Sequence, residues 1–541
     1  MIHKNLGWLA AGLMAMSMAA ALPSGTMAQS EAQETATPIK HVVVIFDENI
    51  SFDHYFGTYP HATNPKGETA FHAKSDTPRV NNLLAAGLLD QNPNSTQPFR
   101  VDPAHVVTCD QGHGYTEEQS AFNHGLLDKF PENTGSGGPG CYDYGKSTGV
   151  VMGYFDGNTV TAIWNYAQHY AMSDNSYSTM FGPSTVGALN LIAGKTTTAT
   201  MSPFDADGVT PGNPNGDIAG GQTTGAAIGD PRPLYDICNA TTPLLGVQHT
   251  TLISITTGKN VGDLLNSKGI TWGWFQGGFR PTSYIANPKG GTPLPVCAAE
   301  STNLAGPYND YIPHHEPFQY FESTANPYHI KPSNAGLIGT SKDGANHQYD
   351  LQDFWAALGE GRLPAVTFLK AKGIQDGHPG YSDPTDEQVW LVTVINAIEN
   401  SPEWKDTAIV IAYDDSDGWY DHAMGTIINQ SNVSDDSLTA PGACGLTASE
   451  NLPGRCGYGP RQPLIVISPY AKQNYVDHRL TDQSSILRFI EDNWDLGRIG
   501  DGSADEKAGK LDGLFDFDSA QHAPRLVLDP STGVILKQNQ D

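Results

Sequence analysis

The stretch "IKHVVVIFDENISFDHYFGTYP", Ile39 to Pro60, joins an unbroken run of Val and Ile to a knot of carboxylate, amide and aromatic side chains. A β-branched run without polar alternation reads as a strand buried on both faces, as in parallel sheets. The pattern returns as "AVTFL" (365–369) ahead of Lys370, "TAIVIAY" (407–413) ahead of Asp414 and "PLIVIS" (463–468) ahead of Pro469. Between these runs lie helical patterns. In "TDEQVWLVTVINAIENSPEW" (385–404), Val389, Leu391, Val392, Ile395 and Ile398 follow a helical period, and Thr385 with Gln388 reads as a capping box. Strands alternating with helices predict an α/β fold: a mostly parallel central sheet with helices on both faces, carrying loop and small β insertions. In such folds the ligand crevice lies at the carboxyl ends of the strands, so the polar residues after each run are placed to converge.

The chain has 541 residues. Lys4, an apolar run from Leu6 to Leu22 and small residues up to Ala28 read as a cleaved secretory signal over residues 1–28, so a secreted or periplasmic location is expected. No later stretch is long and apolar enough for a membrane span. Export makes the compartment oxidising, and the six cysteines are expected to pair as sequence neighbours; none sits in a CxxC, which argues against a cysteine zinc site. The net charge of −28 repels nucleic acid and anionic membranes, so an anionic substrate would need a metal or local cations at the site. We expect a catalytic domain over 38–500, with a Gly- and Thr-rich ordered loop or insertion at about 196–233 and a second loop at 133–141. A C-terminal extension, 501–541, is expected to pack back on the core through "PRLVLDP".

The chemistry-bearing candidates sit mostly after these runs. Asp414-Asp415 is either half of a cation site or a solvated turn, since adjacent carboxylates repel unless compensated. Glu48-Asn49 offers hard oxygen ligands at a strand end, or Asn49 caps the following helix. Read together, the two pairs favour a shared divalent-cation site. Ser184, in "MFGPSTVGALN", stands at the start of a helix as a cap, or as a nucleophile beside N–H groups able to hold phosphate; Thr185 is the alternative. His113, His314, His315, His347 and His378 occupy polar contexts suited to binding phosphate or to protonating a leaving group. Asp343 and His347 have a spacing that could hold a second metal. The aromatics of "ITWGWFQGGF", Ile270 to Phe279, are core, or else a wall for an organic leaving group or a choline-like cation.

"DENISFDHYFG", "DQGHGYTEEQSAFNHGLLDKF", "MFGPSTVGALNLIAG", "ITWGWFQGGF", "YIPHHEPFQYF", "NHQYDLQDFW", "GHPGYSDP" and "VIAYDDSDGWYDH" together resemble the bacterial phosphoesterase family of acid phosphatases and phospholipases C, with its alkaline-phosphatase-like core. The resemblance runs from about Ile39 to Gly500. It implies one divalent metal ion, Ca, Mg, Mn, Fe or Zn, held by Glu48, Asn49, Asp414, Asp415 and the Ser184 oxygen. It makes Ser184 the nucleophile that takes up the phosphoryl group, and His113, His315 and His378 the phosphate-binding and proton-transfer histidines. Ser rather than Thr at 184, and a chain that stops soon after the core, lean towards phosphate monoesters, the acid phosphatase type. The alternative is a phospholipase C cleaving phosphatidylcholine-type diesters, with a phospholipid headgroup as partner. A non-catalytic secreted binding protein is the reading from a different class.

Overall fold

In a computed structural model of the chain, β1 (His41–Asp47) lies at the centre of an eight-stranded sheet. The structure describes residues 34–136, 147–206, 208, 210–240, 251–287, 289–438, 444, 453–519 and 523–539. The expected signal segment, Cys141 and most of the expected 133–141 loop lie outside them. The other sheet strands are β2 (Ala171–Ser173), β3 (Trp272–Gln276), β4 (Gln348–Asp350), β5 (Val366–Lys370), β6 (Thr407–Tyr413), β7 (Leu464–Ile467) and β8 (Tyr475–Asp477), in the order β4-β3-β5-β1-β6-β7-β2-β8. Every residue of β3, β5, β6 and β7 is buried, as is all of β1 after His41, which matches the unbroken apolar runs. All neighbours pair in parallel except β7, which runs antiparallel to both β6 and β2. "PLIVIS" was therefore legible as a buried strand but not in its direction, because a strand covered on both faces has the same composition either way.

The helices α1 (Phe52–Phe56), α2 (Tyr115–Phe122), α3 (Thr161–His169), α4 (Ser184–Ala193), α5 (Val261–Lys268), α6 (Leu351–Gly359), α7 (Pro384–Glu399) and α8 (Gln483–Asn493) complete the α/β architecture. Two caps differ from expectation. Helix α7 is capped by Asp383, whose carboxylate accepts the N–H groups of Thr385 and Asp386, because Pro384 occupies the first helical position. Helix α1 is capped by Ser51 and not by Asn49: the Ser51 hydroxyl accepts the His54 N–H.

Part of the 196–233 segment is ordered as strands. Ala199–Met201, Thr224–Gly225 and Arg232–Pro233 join Leu252–Ile255 in a small four-stranded sheet. Disulfides join Cys238 to Cys297 and Cys444 to Cys456, both sequence neighbours; Cys109 is also disulfide-bonded. Among the described residues no helix is long and apolar enough to cross a membrane.

The C-terminal hairpin, Arg525–Leu528 with Ile535–Asn539, hydrogen-bonds to the sheet's helices. Asn396 donates to the Leu528 carbonyl and accepts its N–H, and Asn165 donates to the Gly533 carbonyl. Glu399, fully buried at the end of α7, accepts from the Leu526 N–H and from the Tyr170 hydroxyl, at 3.0 and 2.7 Å. Burial pushes its carboxyl up to about 8. Its folded-state value lies above the unfolded one of about 4.3, so its contribution is fully present below that pH and is lost as pH rises through about 8. We expect the hairpin to loosen over that window, with stability falling by a few kcal/mol. Glu399→Gln should flatten this part of the curve of melting temperature against pH; parallel wild-type and variant curves would count against the assignment.

Candidate active site

Because β5, β1 and β6 are adjacent and parallel, their carboxyl ends leave the sheet together: Ile45 pairs with Leu369, and Asp47 with Tyr413. The next residues on each strand are the polar ones. Asn49 takes a left-handed backbone, φ 57°, which asparagine tolerates better than most residues. Its N–H donates to Asp414 Oδ1 at 3.1 Å and its side-chain amide to Asp417 Oδ1 at 3.3 Å. The Asp415 N–H also donates to Asp414 Oδ1, and the Asp417 N–H to Asp415 Oδ1, at 2.8 and 2.7 Å. Glu48-Asn49 and Asp414-Asp415 thus lie in one buried knot, and Asp414-Asp415 is not a solvated turn.

Ser184 opens α4 behind Pro183 and makes no capping bond. Its Oγ instead lies 3.2 Å from Glu48 Oε2 and 3.0 Å from Asp415 Oδ2. The Thr185 N–H, expected to be open to phosphate, donates to Asp230 Oδ1, and the Thr185 hydroxyl lies against that of Tyr320. Gly187 lets α4 approach the Asp414 backbone: a β-carbon there would sit 2.0 Å from its carbonyl oxygen. Glu118 clamps both sides of the site, accepting from the Gly182 N–H ahead of Ser184 and from the Ser416 hydroxyl beyond Asp415.

The three expected histidines join the same network. His315 Nδ1 is 3.2 Å from Glu48 Oε1, while its buried Nε2 has no hydrogen-bond partner. His314 packs edge-on against it and is the more exposed of the two. His113 Nδ1 lies 2.8 Å from the Gln111 carbonyl and 3.3 Å from Asp417 Oδ1. The His378 ring is 6.1 Å from that of His113, and its backbone N–H is held by Asp376. Burial, with His314 and Lys370 nearby, holds His315 well below the usual imidazole range; burial and His113 lower His378. His113 goes the other way. Burial opposes its charge, but Asp415, Asp417 and Asp110 together raise it well above the usual range.

Sequence reading missed Lys370, Asp376, Asp417 and Glu118. Lys370 is buried at the end of β5 and pairs with Glu48 Oε1 and, at 3.4 Å, with Asp414 Oδ2. Burial and the neighbouring Asp414 push Glu48 well above the ordinary carboxylate range, and burial does the same to Asp415. Asp414 is held below that range: burial opposes this, but Lys370, a hydrogen bond with Glu48 and the N–H groups of Asn49 and Asp415 outweigh it.

These residues fit a metal ion. Asn49 Oδ1 is buried without a partner, while Glu48 Oε2 and Asp415 Oδ2 both face the Ser184 hydroxyl. Hard oxygen donors of this kind suit Mg²⁺, Ca²⁺ or Mn²⁺ and do not exclude Fe or Zn²⁺. Glu48, His315 and Asp376 form one group close enough to hold an ion, and Asp110, His113, His378 and Asp417 another.

Two sequence alternatives fall away. Asp343 accepts the N–H groups of Ser333 and Ala345, while His347 stacks on Trp272 and bonds its carbonyl, so the pair does not form a second metal site. Trp272, Trp274 and Phe275 are buried in β3, an inner strand of the sheet, and Phe279 is buried beyond it against Tyr311 and His329, so they form no open wall.

An α/β sheet with acids, an amide, a serine and histidines gathered at the carboxyl ends of its parallel strands defines the general class. The model of the Phosphoesterase family matches residues 39–497, and the chain belongs to that family. It is 24% identical over 471 residues to the non-hemolytic phospholipase C of Burkholderia pseudomallei, covering 84% of this chain and 55% of that one. It is 24% identical over 517 residues to the hemolytic phospholipase C of Pseudomonas aeruginosa, covering 92% and 59%. Phospholipase C B of Mycobacterium tuberculosis is 22% identical over 470 residues, covering 84% and 73%. The chain thus spans less than two thirds of the first two relatives. Among solved structures, a Vibrio parahaemolyticus protein of the alkaline phosphatase superfamily is similar over 76% of this chain and 75% of that one, at 11% identity and a TM-score of 0.29.

Removing Lys370 would leave buried carboxylates uncompensated. We expect Lys370→Met to destabilise the metal-free protein by about 3–5 kcal/mol near neutral pH, and expect a divalent cation to restore much of the loss by neutralising the same oxygens. The check is thermal melting with chelator and with added metal; melting temperatures equal to wild type in both conditions would remove Lys370 from this role.

Proposed function

We propose that the protein is a secreted or periplasmic metal-dependent phosphoesterase that hydrolyses phosphate monoesters through a phosphoryl-enzyme on Ser184. The observation that carries this is the Ser184 hydroxyl, placed at the start of α4 between Glu48 Oε2 and Asp415 Oδ2 instead of serving as a cap. Glu48, Asn49, Asp414, Asp415 and the Ser184 oxygen would hold one divalent cation, which when bound supplies positive charge that acidifies the serine and offsets charge on the phosphoryl oxygens. Disulfides at 238–297 and 444–456 support an oxidising compartment. Residues 38–500 form the catalytic domain in this reading, with 196–233 an insertion and 501–541 an extension.

In the first half-reaction Ser184 gives its hydroxyl proton to Asp415 or Glu48, whose oxygens lie against it, Oγ attacks phosphorus, an Oγ–P bond forms and the bond to the leaving oxygen breaks. His113 or His378 gives that oxygen its proton. In the second half-reaction water gives one proton to the histidine that served as acid and attacks phosphorus, the Oγ–P bond breaks, Ser184 Oγ takes its proton back from the carboxylate, and phosphate and free Ser184 are released. His113, His315 and His378 hold the phosphoryl oxygens while the buried loops exclude bulk water, so positioning and electrostatics do most of the work. The names of the relatives favour a second reading, a phospholipase C cleaving phosphatidylcholine-type diesters.

The test is hydrolysis of p-nitrophenyl phosphate beside p-nitrophenylphosphorylcholine, with chelator and with metal restored. We expect faster, metal-dependent cleavage of the monoester; faster cleavage of the diester would favour the phospholipase reading. Ser184→Ala should lower kcat by at least about a thousandfold while the melting temperature stays near wild type. Wild-type turnover in that variant would overturn the phosphoryl-enzyme.

A further inference from the structure

The two oxygens of Glu48 face different partners. Oε2 shares the Ser184 hydroxyl with Asp415 Oδ2, while Oε1 meets Lys370 Nζ and, at 3.2 Å, His315 Nδ1. Asp414 is divided in the same way: Oδ1 accepts the N–H groups of Asn49 and Asp415, and Oδ2 lies 3.4 Å from Lys370 Nζ. Lys370 ends β5, between β3 and β1, and its ammonium stands 5.6 Å from the centre of the Phe46 ring. Buried there, it is paired with the acids from inside the fold rather than open to a substrate.

Around Glu48 Oε1 the chain also carries a donor set for a second metal ion. Glu48, His315 and Asp376 are all buried, with ligand atoms within 4.8 Å of one another, and His315 Nδ1 is 4.0 Å from Asp376 Oδ2. Two carboxylates and an imidazole suit Mn²⁺, Fe or Zn²⁺. Lys370 already occupies one of these ligands. An ammonium and a divalent ion on the same oxygen would repel each other strongly in a medium that screens poorly, so the tethered charge excludes the mobile one.

We propose that Lys370 is the second cation of the active site: its ammonium takes the place of a divalent ion between Glu48 and Asp414, so that the protein works with one bound metal ion and one permanent charge beside it. A tethered ammonium needs no supply from solution and has no coordination position to offer water or a phosphoryl oxygen. It is therefore a positioning residue, holding Glu48 and Asp414 in the arrangement the bound ion requires. The inference rests on the reading of Glu48, Asn49, Asp414, Asp415 and Ser184 as the site of that ion.

The experiment counts the Mn²⁺ retained by the protein after equilibrium dialysis and records its electron paramagnetic resonance spectrum, for wild type and Lys370→Ala. Wild type should hold about one ion with an uncoupled spectrum, and Lys370→Ala about two with the spectrum of a spin-coupled pair, since the freed ligands adjoin the first ion. Adding Asp376→Asn to Lys370→Ala should remove the second ion again. Lys370→Gln, which keeps the length of the side chain without its charge, is held to the same outcome and serves where Lys370→Ala does not fold. A coupled pair in wild type, or no additional ion in the variants, would overturn the proposal. If wild type retains no Mn²⁺, the one-ion reading of the Ser184 side fails, and Lys370 is judged separately: an ion gained by Lys370→Ala and lost with Asp376→Asn supports its role, and none gained overturns it.

Discussion

Carboxylates buried at the ends of adjacent strands repel one another through a medium that screens poorly, and this repulsion is the constraint around which the site is built. Asp47, Glu48, Asp376, Asp414, Asp415 and Asp417 are all buried. The chain answers with three devices. Lys370 places an ammonium between Glu48 and Asp414. Backbone N–H groups of Asn49, Asp415 and Asp417 point at the Asp414 and Asp415 oxygens. Burial also holds protons on Asp47, Glu48 and Asp415 beyond the usual range. A knot compensated in this way suits a cation, because metal binding displaces protons from such ligands.

That balance also explains the approach of α4. A serine hydroxyl in such a knot is useful only if its helix comes close to Asp414 and Asp415, and Gly187 removes the side chain that would prevent it. Glu118 then fixes the turn ahead of the helix and the loop beyond Asp415 as one unit. Asp230 occupies the Thr185 N–H, so the first turn of α4 holds the serine in place and leaves less of its donor set for phosphate. In the function proposed above, the phosphoryl oxygens would then be held mainly by the cation and the histidines.

Much of this was legible in the sequence, for a physical reason. Strands covered on both faces must be uninterrupted runs of apolar residues, so "HVVVIF" and "TAIVIAY" announced themselves, and the residues after them had to meet wherever the strands were parallel neighbours. What stayed hidden depended on pairings far apart in the chain. A lysine ending an apolar run ordinarily reaches solvent, and only the placement of β5 beside β1 turns Lys370 into a buried partner of Glu48. Asp376 and Asp417 sit in loops whose composition resembles any turn. The antiparallel direction of β7 leaves no mark on its residues, and the aromatics of Ile270 to Phe279 looked available until the sheet order made their strand an inner one.

The histidines illustrate how one scaffold gives the same side chain opposite charge states. His315 sits beneath the acids with Lys370 and His314 nearby, and burial there favours the neutral ring. His113 reaches the same acids from the far side, past Asp417, where three carboxylates outweigh burial and favour the cation. The two charge states follow from different neighbours, His314 and Lys370 beside His315 and carboxylates beside His113.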